Sequence, residues 1–133
     1  MNALDRLMLY RLAADASLLV HFGFIAFVIL GGLLVRWRRW VAFVHVPAVA
    51  WATFIVASGR ICPLTIVENA FRAGAGASGY SESFIEHYLL HVIYPPGLTP
   101  AVQVALAIVV LAINATIYMR LMKSRKGAAL GSA

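Results

Sequence analysis

The sequence predicts an all-α membrane protein: three transmembrane helices plus a short amphipathic or re-entrant helix on the outer side. Three observations carry this: long uncharged runs, a strongly apolar composition, and a separation of basic from acidic residues. Residues 16–35 form a run of 20 without a formally charged side chain, and 40–58 and 101–119 repeat the pattern at 19 residues each. A hydrocarbon core about 30 Å thick is crossed by ~20 helical residues, so each run is long enough to span. Of 133 residues, 62% are hydrophobic, and mean hydropathy is +0.87. The excess apolar surface must face lipid or other subunits, which leaves little room for a soluble domain. The expected organisation is one membrane domain over 1–133, with spans at about 12–35, 40–58 and 100–122.

The first span is read as retained. Asp5 and Asp15 accompany its early arginines, and Gly31-Gly32-Leu33 leads into Arg36-Trp37-Arg38-Arg39 rather than into a small-residue cleavage site. Trp37 and Trp40 flank that basic turn as interfacial aromatics. The second span carries Pro47 in its first two turns, where the missing amide permits a kink, and Gly59 stops it. The segment 59–99 lies on the outer side. Within it Thr65-Ile66-Val67-Glu68 has capping-box spacing and predicts a short helix over 66–72. The glycine-rich stretch 73–79 reads as a flexible turn. Ser83-Phe84-Ile85-Glu86 predicts a second helix over 84–94, ended by Pro95-Pro96. At ~16 Å that helix covers about half a membrane, so it lies at the surface; the alternative is a four-helix bundle with a short third span.

Charge placement decides for three spans. Arg36, Arg38, Arg39, Arg120, Lys123, Arg125 and Lys126, seven of the 11 basic residues, then share one side. The other side holds Arg6, Arg11, Arg60, Arg72 and all five acids, Asp5, Asp15, Glu68, Glu82 and Glu86. The positive-inside tendency places the C-terminus in the cytoplasm and the acids on the outer side of the membrane. It also accounts for the high pI without nucleic acid as a partner. The expected partners are the lipid bilayer and a membrane protein or second copy of the chain.

Ionisable groups at membrane depth are candidate functional residues. His21 sits ~21 Å above Val35, in the outer half, whereas His45 lies ~8 Å from the inner face. The bland role for each is a hydrogen bond to a backbone carbonyl or neighbouring helix. His87 and His91 are spaced i, i+4, which suits two imidazoles on one zinc, copper or iron ion. Cys62 precedes Pro63, and a nearby arginine, Arg60, favours thiolate. Asp15 is one turn from Arg11, a pair able to neutralise itself. Gln103 and Asn114 share a stripe with Ala107, as amides that join helices do. In a three-span topology Asp15, His21, Arg60, Cys62, Glu68, Glu86, His87 and His91 gather into an outer polar cup roofed by residues 62–94.

The chain also resembles a known family. The residues that carry the likeness are Ala14-Asp15, His21, Gly31-Gly32, the His45–Trp51 run, Cys62-Pro63-Leu64-Thr65 and Glu68-Asn69. Gly79-Tyr80, Phe84-Ile85-Glu86-His87-Tyr88-Leu89 and Tyr94-Pro95 complete it. Together they resemble a bacterial family of small membrane proteins catalogued as a domain of unknown function (number 2784). The resemblance implies class and location but no mechanism. It marks Asp15, His21, His45, Trp51, Cys62, Glu68, Asn69 and His87 as shared positions, with His91 a departure.

The functional expectation is a His/Cys/carboxylate site near the outer leaflet, built from His21, His87, Cys62, Glu68, Asp15, Asn69 and Arg60. It would bind a transition metal or haem, with His21, His87 and His91 as metal ligands. The alternative is a non-catalytic accessory or assembly subunit of a larger membrane complex. Whether the protein is an enzyme stays open, because neither Glu86 with His87 nor Asp15 with His21 is paired by local helix geometry.

Overall fold

The computed structural model describes residues 2–81, 84–90 and 99–130. Among them the order is α1 (Ala3–Leu34), α2 (Val41–Ser58), α3 (Pro63–Gly74), a π-helical turn (Ile85–Leu90) and α4 (Pro100–Leu130), with no strand. Three helices, α1, α2 and α4, are long and apolar enough to cross a membrane. They pack against one another, and α3 lies along α1. Large apolar side chains such as Leu19, Phe43 and Ile108 remain exposed, as expected of helices whose solvent is lipid. The six-residue π turn is far too short to cross, so three candidate spans stand among the described residues.

α1 starts at Ala3, where the Asp5 carboxylate accepts the Asn2 amide at 3.1 Å. Its 32 residues reach ~48 Å, about 18 Å more than a hydrocarbon core. The surplus supports α3, a strongly amphipathic helix whose polar side can face water while its other side covers α1. At the opposite end Arg125 donates to the Val35 carbonyl at 3.3 Å. That contact sets the basic end of α4 beside the Arg36–Arg39 turn.

The three long helices are locked by buried polar groups. His45 on α2 is wholly buried, with Nε2 3.3 Å from the Val28 carbonyl of α1 and Nδ1 2.9 Å from the Tyr118 hydroxyl of α4. A carbonyl only accepts, so Nε2 carries a proton; with a neutral ring, Tyr118 donates to Nδ1. Asn114 donates to the same Val28 carbonyl at 3.0 Å, the joining role its stripe implied. Gly31 makes the close approach possible: a Cβ there would stand 2.5 Å from His45 Cδ2 and 2.8 Å from Phe27 Cδ2.

α2 runs unbroken through Pro47 and ends at Gly59, whose φ of +64° is the left-handed closing conformation glycine adopts at little cost. α3 corrects an expectation. It begins at Pro63 with Cys62 as N-cap, not at a Thr65–Glu68 capping box. Proline suits the first helical position because its missing N–H would be unpaired there anyway. Thr65 and Glu68 therefore fall inside the helix, and both are fully buried. The expected α-helix over 84–94 is likewise replaced by π winding at Ile85–Leu90; residues 91–94 and Ser83 lie outside the described residues.

Gly31→Ala should lower the detergent thermal midpoint, with a destabilisation of about 1–3 kcal/mol from overpacking against His45. Gly23→Ala is the control, since nothing stands within 4 Å of a Cβ there, and it should leave the midpoint unchanged or slightly raised.

Candidate functional site

The expected polar cup resolves into two neighbouring parts. The first is a network around Glu68, in the middle of α3. Oε1 accepts from Arg72 Nε at 2.9 Å and from the Tyr88 hydroxyl at 3.1 Å, while Oε2 accepts from the Tyr80 hydroxyl at 2.8 Å. Arg72 also donates to the Tyr88 oxygen. The Arg72–Glu68 pair is the only ion pair among the described residues. The expected Arg11–Asp15 pair is therefore not formed; an exposed pair on a helix surface gains too little to hold both side chains in place. Asp15 is exposed and acts electrostatically on Tyr88.

Asn69, one residue on, holds the backbone of Tyr80 from both sides. Its Nδ2 donates to the Tyr80 carbonyl at 2.6 Å, and its Oδ1 accepts the Tyr80 amide at 3.1 Å. His87 stacks on the Tyr80 ring with centroids 4.0 Å apart and planes 8° from parallel. Burial, the hydrogen bond to Glu68 and that carboxylate's charge push the Tyr80 phenol well above its usual range. The Tyr88 phenol is raised by burial and then by the Glu68 charge.

The second part is a partly open cavity of about 70 Å³ between α1, α2, the start of α4 and the π turn. Its walls are apolar, with Phe24, Ile25, Trp51, Ile55 and Val56; its polar groups are His21, Arg60, Cys62 and Gln103. His21 is 4% exposed and stacks on Phe84 at 3.8 Å. Its Nδ1 has no hydrogen-bond partner among the described residues. A train of rings joins the two parts: His21 on Phe84, Phe84 beside Tyr88 at 5.0 Å, and Tyr88 beside His87 at 4.8 Å.

The structure thus brings His21, Arg60 and Cys62 to one cavity and Glu68, Asn69 and His87 to one network. His45 belongs to neither; it joins the spans. Among the described residues no three His, Cys, Asp or Glu side chains are grouped to hold a metal ion, and His91 lies outside them. Sequence reasoning missed Arg72, Tyr80, Phe84 and Tyr88 as members of the site. The four-residue steps 68 to 72 and 84 to 88 were the available signal; Tyr80 lies outside any helix and had none.

A family described as Protein of Unknown function (DUF2784) matches residues 11–119. The chain belongs to that family. Every residue of the Glu68 network and of the cavity falls within the span matched to DUF2784. No curated protein and no solved structure matches the chain.

Glu68→Gln should loosen the 63–81 cap by on the order of 2 kcal/mol, below the full value for a broken buried pair because Arg72 is 27% exposed. Faster amide exchange across α3, with unchanged exchange in α2, is the expected readout. Both tyrosines titrate above their ordinary value of 10, so folding favours their protonated forms. The cap's protection is then full below about pH 10 and falls as pH rises through the raised folded values. Tyr80→Phe should flatten that alkaline loss in an exchange profile.

Proposed function

We propose that this protein crosses the bacterial inner membrane three times, with its C-terminus in the cytoplasm, and binds the apolar part of an amphiphile in the cavity beneath its outer cap. The topology is supported by the basic Arg36–Arg39 turn and the basic end of α4 sharing one end of the bundle. The binding role rests on one observation, an apolar cavity with a few polar groups on its wall, which is the ordinary form of a small-ligand site. A partly open cavity of about 70 Å³ admits a short stretch of chain. Dispersal of the imidazoles between cavity, network and helix joint favours this reading over a shared metal.

Trp51 lies on the cavity wall, so its fluorescence reports occupancy once Trp37 and Trp40 are replaced by phenylalanine. A chain-brominated fatty acid should quench Trp51 saturably in nanodiscs, and unlabelled fatty acid should compete. Filling the cavity with Ala52→Phe should weaken binding about tenfold, or ~1.4 kcal/mol. Quenching that rises linearly with bulk lipid content and ignores Ala52→Phe would overturn the reading. Stoichiometric metal or a Soret band in the purified protein would replace it with the metal or haem role. Loss of a co-purifying membrane complex on Glu68→Gln, with no saturable quenching, would replace it with the assembly role.

A further inference from the structure

The cavity's polar groups are unequal to one another, and their imbalance identifies a headgroup. Arg60 is an exposed cation on the cavity wall. Its guanidinium stands 5.7 Å over the Phe54 ring, and no carboxylate among the described residues lies within ion-pair distance of it. Cys62, on the same wall, is the N-cap of the 12-residue α3, and its side chain makes no capping hydrogen bond. Pro63 has no amide proton, and the amides of Thr65 and Ile66 both turn back to the Cys62 carbonyl. Those bonds leave only the Leu64 amide in the first turn of α3 without a backbone acceptor among the described residues. His21 adds an independent sign of a ligand: it is buried, it lines the cavity, and its Nδ1 has no partner among the described residues. A buried ring nitrogen left unpaired is costly, and with the proton on Nδ1 it would donate to an anionic ligand oxygen. Glu68 does not supply the missing charge, because Arg72, Tyr80 and Tyr88 already occupy it.

We propose that the cavity mouth binds an anionic headgroup, a carboxylate or phosphate carried on an apolar chain, through Arg60 and His21. This rests on the amphiphile reading and specifies its ligand. The headgroup sits at Arg60 and Cys62, and the chain runs inward past Trp51 and Ile55.

The test uses the full chain in nanodiscs with Trp51 as sole tryptophan. A brominated fatty acid, a lysophosphatidate and the fatty alcohol of equal chain length are titrated in parallel at pH 8. Both anionic ligands should bind about tenfold tighter than the alcohol, as one charge-assisted hydrogen-bonded contact provides. Arg60→Gln should bring the acids down to the alcohol's affinity, and Arg60→Lys should restore most of the preference; circular dichroism and gel filtration verify that both variants are folded. Equal affinity for acid and alcohol would overturn the headgroup assignment while leaving the cavity reading intact. Saturable binding of none of the three would sink both. Millimolar inorganic phosphate should displace nothing; displacement by phosphate alone would show a free-anion site and overturn the requirement for a chain.

Discussion

Taking a carboxylate out of water costs several kcal/mol unless its lone pairs meet donors, and the cap of this protein is organised around meeting that demand. Glu68 has no solvent contact, and its donors come from three separate stretches of chain: Arg72 on α3 itself, Tyr80 after the glycine-rich turn, and Tyr88 in the π turn. Each donor reaches the carboxylate only when its stretch is docked. The buried charge thereby couples α3, the loop and the π turn into one unit. That unit brings Phe84 onto His21 and so forms one wall of the cavity.

A second polar joint fixes the other half of the molecule. His45 and Asn114 converge on the Val28 carbonyl, Tyr118 bonds the other nitrogen of His45, and together they hold α1, α2 and α4 in register where lipid-facing apolar surface gives no directional preference. The cavity lies on the cap side of this joint. Its floor is set by helix packing and its roof by the Glu68 network, two largely independent supports for one concave site.

Much of the architecture was legible because lipid imposes a simple code. Uncharged runs of sufficient length located α1, α2 and α4, and Gly59 marked the end of α2. The polar segment was harder. Thr65 and Glu68 have capping-box spacing, yet Cys62-Pro63 starts the helix three residues sooner, and the same spacing then places both side chains on the buried face of α3. Four-residue steps predict contacts within a helix, but Glu68 meets Tyr80 and Tyr88 across a turn whose path no periodicity encodes. Arg60, Cys62 and His21 line one cavity, whereas the expected cup grouped them with His87. Their separation from His87 depends on the π winding at Ile85–Leu90, which has no sequence signature comparable to an α-helical stripe.

Asn69 divides labour between backbone and side chain in a way that bears on how the site can vary. Its amide grips the peptide groups of residue 80 and not the ring. The chain path there is consequently indifferent to which side chain residue 80 carries, whereas the hydroxyl delivered to the carboxylate is not. Substitutions at 80 can retune the proton affinity and stacking surface offered to His87 while the loop keeps its course. A change at 69 has no such freedom, because a carboxylate in place of the amide would set an acceptor against the residue 80 carbonyl.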